Sequence, residues 1–96
     1  MNKYDVTFIV RPDIDESAAK SVFESMKNIL ISKGANILEE KEIGQRELAY
    51  EINKYKNGYY FYFLVEDENA SATKEFDRVA LINENIIRHL VVKIDE

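Results

Sequence analysis

From Tyr4 to Val10 the chain alternates Tyr4, Val6, Phe8 and Val10 against Asp5, Thr7 and Ile9, the period of two of a strand buried on one face. Arg11 and Pro12 close it. The period then changes to steps of three and four. Ala19, Val22, Phe23, Met26, Ile29 and Leu30 form the apolar stripe of a helix, with Asp13 or Asp15 as N-cap and Gly34, just past Lys33, as its stop. From Asn36 to Ile52 the pattern is extended again, with Ile37, Ile43, Leu48, Tyr50 and Ile52 as apolar anchors and Gly44 as a bulge or bend. The run Glu39-Glu40-Lys41-Glu42 suits a sheet edge protected from aggregation.

Asn53 to Gly58 reads as a polar turn, and Gly58 to Glu66 is the most apolar extended stretch. Tyr59, Phe61, Phe63 and Val65 share one face and Tyr60, Tyr62 and Leu64 the other, which places this strand in the middle of a sheet. Asn69 or Ser71 caps a second helix with Ala72, Phe76, Val79 and Ala80 as its buried stripe, ended by Asn83-Glu84-Asn85. Ile86 to Ile94 is a last β-branched strand, with Arg88, Leu90 and Val92 on one face and His89, Val91 and Lys93 on the other.

Strand, helix, strand, strand, helix, strand is the split β-α-β order of an α+β, ferredoxin-like fold, a single domain over residues 1–96. Right-handed crossovers put strands one and three in the centre of a four-stranded antiparallel sheet, with both helices on one face. The other face then carries Thr7, Ile9, Tyr60, Tyr62, Leu64, His89 and Val91 without a cover. A patch of that content is more often a contact surface than bare sheet.

Composition narrows the chemistry. There is no cysteine and one histidine, His89, so neither thiolate sites nor a histidine-built metal site is available, and no cofactor is expected. No apolar run approaches the roughly 18 residues of a membrane span, and Met1-Asn2-Lys3-Tyr4-Asp5 lacks the apolar region of a signal peptide, so the expectation is a cytoplasmic protein with no membrane partner. A net charge of −5 argues against broad charge-driven binding to nucleic acid and leaves room only for a local basic site. Catalysis has little to stand on, since no base and orienting group accompany a nucleophile and the three glycines are too scattered for a phosphate loop. Neither an enzyme nor a small-molecule substrate is expected.

Lys56-Asn57-Gly58-Tyr59-Tyr60-Phe61-Tyr62-Phe63 looks like a loose version of the aromatic third strand of RNA-recognition modules, which opens an alternative reading as a stand-alone binder of single-stranded RNA. The pattern wants a small residue where Tyr60 stands. A small enzyme or ligand-binding regulator on the same fold is a third reading, with no residue set to support it.

Three segments are more specific. Gly44-Gln45-Arg46-Glu47-Leu48-Ala49-Tyr50-Glu51-Ile52, the Gly58-Tyr59 pair, and Glu75-Phe76-Asp77-Arg78 continuing to Asn85-Ile86-Ile87-Arg88-His89-Leu90-Val91-Val92-Lys93, together with the opening from Tyr4-Asp5-Val6 to Arg11-Pro12, resemble the sixth-protein family of the bacterial small ribosomal subunit. The resemblance covers essentially the whole chain. It implies a ferredoxin-like, non-enzymatic ribosomal constituent that binds the central domain of 16S ribosomal RNA as a pair with small-subunit protein eighteen. Carried onto this sequence, it implies RNA contacts at Lys3, Tyr4, Arg46, Arg88 and Lys93, and leaves Tyr60, Tyr62, Leu64, His89 and Val91 for the protein partner. Arginine suits the first role because its planar fork meets phosphate oxygens two at a time.

Many relatives carry basic residues beside the arginine of the Gly-x-Arg segment, whereas Gln45 and Glu47 flank Arg46 here; some carry a second arginine where Ile87 stands. Both departures remove positive charge and shift the expectation toward binding that depends on the protein partner.

Overall fold

The computed structural model describes residues 2–68 and 70–94. Its elements run β1 (Asn2–Val10), α1 (Glu16–Ser32), β2 (Asn36–Ile52), β3 (Tyr55–Asp67), α2 (Ser71–Ile82) and β4 (Ile86–Ile94). They form one four-stranded sheet in the order β2-β3-β1-β4, with every neighbouring pair antiparallel. This is the ferredoxin-like arrangement expected from the element order. The most apolar strand, β3, lies inside the sheet and the charged β2 lies at its edge.

Both helices cover the same face. Tyr4, Val6, Phe8 and Val10 of β1 and Phe61, Phe63 and Val65 of β3 are buried in one cluster with Ala19, Val22, Phe23, Met26 and Leu30 of α1 and Ala72, Phe76 and Ala80 of α2. All five phenylalanines of the sequence belong to it and touch in a chain. Phe8 lies 5.3 Å from Phe61, 5.9 Å from Phe63 and 5.7 Å from Phe76, and Phe23 stacks on Phe63 at 5.0 Å. One ring on β1 therefore joins the sheet to α2, and one on α1 closes the opposite side.

The ends of the elements show which local signals act. Asp15, not Asp13, caps α1: its carboxylate accepts from the Ala18 amide at 2.8 Å, and that bond holds its pKa below the usual carboxylate range. Asp13 is engaged by the Arg11 guanidinium at 2.6 Å, which lowers its pKa as well. Gly34 ends α1 with φ +93°, a left-handed value that glycine adopts without strain.

The turn expected over Asn53 to Gly58 is shorter in the structure. Asn53 and Lys54 take φ of 50° and 71°, the paired left-handed conformation of a two-residue hairpin turn, and β3 already begins at Tyr55. Gly58 is no turn residue either. It sits within β3, where an added Cβ would fall 2.4 Å from Ile9 Cγ2 and 3.0 Å from the Val10 carbonyl oxygen. Gly44, with φ +96°, does stand at a bulge, where the register slips between Glu42 and Gly44. Of the expected β2 anchors, Leu48 is buried, whereas Ile43 and Tyr50 are exposed on this edge strand.

The start of α2 departs further. Asn69, one of the two expected caps, lies outside the described residues, and Ser71, the other, is the first helical residue. Asp67 takes the capping role from the end of β3. Its carboxylate, 2 % exposed, accepts from the Ala72 amide at 3.0 Å and the Thr73 amide at 3.3 Å, while the chain turns through a left-handed Ala70. Removing such a cap costs about 1–2 kcal/mol. Asp67→Ala is therefore expected to lower unfolding stability by that amount in denaturant titration, with Asp67→Asn, which retains an acceptor, closer to the parent.

Candidate nucleic-acid interface

The face of the sheet turned away from the helices is defined by strand register. Core residues Val6 and Phe8 of β1 stand opposite Phe63 and Phe61, so Asp5, Thr7 and Ile9, opposite Leu64, Tyr62 and Tyr60, look outward. In β4, Val91 and His89 oppose Val6 and Phe8, whereas Arg88, Leu90 and Val92 oppose Ile9, Thr7 and Asp5. Arg88, Leu90 and Val92 thus belong to the open face, and His89, Val91 and Lys93 to the helix side.

This corrects the sequence reading at two positions of the expected partner surface. Val91 packs against the core, and His89 is held under α2 by a 2.7 Å contact from its Nε2 to Asp77 Oδ1, with its ring edge-on to Phe76 at 6.3 Å. Tyr60, Tyr62 and Leu64 are on the open face as expected, and their apolar neighbours there are Leu90, 61 % exposed, and Val92, 45 % exposed.

The five positions expected to contact RNA separate into two groups. Arg46 stands opposite Gly58 and so shares the open face with Arg88; both lie at the end of the sheet where β1 finishes. Their backbones are roughly 15 Å apart, about three strand spacings, within common reach of two long side chains. Lys3 also faces outward, but six residues back along β1, roughly 20 Å away. Lys93 stands opposite Tyr4 on the helix side. Tyr4 itself is 8 % exposed and belongs to the core, unlike the exposed arginines. Arg46 and Arg88 are brought together at one end of the open face, whereas Tyr4 and Lys93 are cross-strand neighbours on the helix side at the other end of the sheet.

Their electrostatic state sets them apart from the other two arginines of the chain. Arg11 and Arg78 are each forked onto a carboxylate, of Asp13 and Glu75, at 2.6 and 2.7 Å. Among the described residues, no carboxylate pairs with Arg46 or Arg88: Arg46 donates to the Gln45 carbonyl at 3.4 Å, and Arg88 Nη1 donates to the Tyr50 hydroxyl at 2.7 Å. Two guanidinium groups with their charge unneutralised, on one end of an uncovered face, are equipped to take phosphate oxygens. Tyr50 is the residue the sequence reading missed as a partner of Arg88, having been placed among the apolar anchors of β2. Its position four residues past Arg46, on the same side of a regular strand, is the signal that points to it.

The acidic groups of the open face lie toward its other end, where Asp5 and Glu39 both stand opposite Leu64. There the Tyr62 hydroxyl donates to the Asp5 carboxylate, and Lys41 Nζ lies over the Tyr62 ring at 5.9 Å. Burial, followed by the bond to Asp5, pushes the Tyr62 phenol up to about 12. The folded phenol therefore keeps its proton between about pH 10 and about pH 12 while the unfolded one loses it. The unfolded state then binds fewer protons, so this contribution is fully present below about pH 10 and is lost as the pH rises to about 12. Tyr62→Phe is expected to flatten the fall in stability across that window, measured by denaturant midpoints at successive pH values; an unchanged slope would show that burial and Asp5 together do not hold the phenol's proton.

No group of acidic, histidine or cysteine side chains among the described residues is arranged to hold a metal ion, and no helix among them is long and apolar enough to cross a membrane.

The family model described as ribosomal protein S6 matches residues 3–93 of this chain. Among solved structures, the fold is similar to that of 30S ribosomal protein S6 from Thermotoga maritima, with a TM-score of 0.92 at 23 % sequence identity, over 97 % of this chain and 87 % of that one.

Proposed function

The chain belongs to the ribosomal protein S6 family, and from that membership we propose that it is a non-enzymatic constituent of the small ribosomal subunit in the cytoplasm. In this reading it binds the central domain of 16S ribosomal RNA together with small-subunit protein eighteen. The single observation that carries the RNA contact is the pair Arg46 and Arg88. They share one end of the open sheet face, and no carboxylate among the described residues pairs with either.

The rest of the face supports a protein partner. Tyr60, Tyr62, Leu64, Leu90 and Val92 form an apolar and aromatic surface beside the arginine end, of the kind that anchors a protein interface. A net charge of −5 gives no general attraction to RNA. Affinity then comes from two local phosphate contacts together with surface shared with a basic partner. Its work is assembly: docking the pair buries the open face and fixes the RNA against it. Lys3 and Lys93, distant from the arginine pair, are at most peripheral contacts in this arrangement.

Reconstitution of small subunits from 16S ribosomal RNA and the remaining small-subunit proteins, with this chain added last, tests the assignment. Stoichiometric incorporation that requires protein eighteen is expected. Failure to incorporate when every other component is present would remove the ribosomal reading.

A further inference from the structure

Tyr50 and Arg88 are 38 residues apart in the chain and come from the two edge strands of the sheet, yet they are joined twice. The Arg88 Nη1 donates to the Tyr50 hydroxyl at 2.7 Å, and its guanidinium carbon lies 5.8 Å from the Tyr50 ring centroid. Tyr50 is 61 % exposed, so core packing does not hold it in place. Its location is set by the β2–β3 hairpin, whose tip runs past the end of β1.

The hairpin is fastened on its other strand as well. The Tyr55 hydroxyl donates to Asp13 Oδ2 at 3.3 Å, and the Arg11 guanidinium, itself paired with Asp13, lies 5.8 Å from the Tyr55 ring centroid. The tip is thus tied to the β1–α1 connection through Tyr55 and to β4 through Tyr50. A tyrosine presented on a fastened hairpin is a fixed support for a long, otherwise exposed side chain.

We propose that Tyr50 is a positioning residue for RNA recognition, holding the Arg88 guanidinium on the open face in the orientation that meets a phosphate. The proposal rests on the reading of Arg88 as a phosphate contact. Its physical basis is the donor inventory. A guanidinium has five N–H groups, and the bond to Tyr50 engages one of them through Nη1. The Nε and Nη2 edge remains as a fork for two oxygens of one phosphate. Ring contact and hydrogen bond together restrict a side chain that would otherwise sample many rotamers, so less freedom is lost on binding. The tyrosine carries no charge and leaves the cation unneutralised, which a carboxylate in the same place would not.

The experiment is a double-mutant cycle of Tyr50→Phe and Arg88→Ala, read as affinity for the 16S central-domain fragment in the presence of protein eighteen. With Arg88 in place, Tyr50→Phe is expected to weaken binding about three- to tenfold, the net value of one typical hydrogen bond. In the Arg88→Ala background the same change is expected to do nothing. Equal losses in both backgrounds would show that Tyr50 acts on the RNA by itself and overturn the proposal, as would no loss from Tyr50→Phe where Arg88→Ala weakens binding. Guanidinium rotation of Arg88, followed by nitrogen NMR in the protein without RNA, separates this proposal from the reading beneath it. Slowed rotation that Tyr50→Phe releases is expected, and fast rotation in the parent protein overturns the clamp. If Arg88→Ala leaves RNA affinity unchanged while the rotation is slow, the phosphate assignment has failed and the positioning role fails with it.

Discussion

Replacing both Arg46 and Arg88 by alanine is expected to weaken binding of the protein pair to the central-domain RNA by about a hundredfold or more. Hydrogen bonds to charged groups contribute about 1.5–3 kcal/mol each, and about 1.4 kcal/mol is a factor of ten. The two arginines lie on separate strands and no bond joins them to each other among the described residues, so their losses should add approximately. The salt dependence offers a second reading of the same variant. Each phosphate contact contributes about 0.7–0.9 to the log–log slope of affinity against salt, so the double variant should lose about 1.4–1.8. A fall in affinity with no change in slope would mean that the arginines act on the protein partner or the fold. Thermal unfolding of the variant should match the parent, since neither guanidinium is bonded to the core.

Phe8→Ala is expected to produce the largest loss of stability in the chain, about 3–5 kcal/mol. The ring is fully buried and contacts Phe61, Phe63 and Phe76 within 5.9 Å, so it joins both central strands to α2. Its removal forfeits apolar burial and leaves a cavity that the surrounding strands and helix cannot close without moving. For a domain of this size, with a total stability of about 5–15 kcal/mol, the melting temperature should fall by at least about 12 °C. Phe76→Leu, which conserves most of the volume in the same cluster, is the useful control and should cost far less. A Phe8→Ala loss below about 1.5 kcal/mol would mean that the core is not organised around this ring.

The sequence reveals much of this core because its polar positions mark the faces. Asp5 and Thr7, alternating with Val6 and Phe8, leave one assignment for β1, and the charged run from Glu39 to Glu42 identifies β2 as an edge. The last strand has no such marker. Leu90 and Val92 on one side and Val91 on the other are equally apolar, each set accompanied by a basic residue, so alternation separates the faces without saying which is outward. A bulge settles it: Ile9 pairs with Arg88 and Val10 with Ile86, so the extra residue Ile87 sets the parity that turns Leu90 and Val92 outward.

Other features stayed hidden because they depend on approaches between distant segments. Gly58 resembles a turn glycine in the sequence and is in fact the place where β3 passes close to Ile9. The cap of α2 comes from Asp67, which the sequence presents as the middle of an acidic run. At Tyr4 two signals conflicted: strand alternation put it in the core, and the family resemblance put it on RNA. The structure bears out the alternation. The arginine pair was legible as two residues, but their common face and Tyr50's bond to Arg88 follow from hairpin geometry.

The most direct measurement is titration of the purified chain into a fragment of the 16S central domain with and without small-subunit protein eighteen, following bound RNA. A structural protein whose affinity is completed by its partner should bind tightly only when both proteins are present. Equally tight binding by the chain alone, above all to unstructured single strands, would contradict the account and favour a stacking module built on Tyr60 and Tyr62.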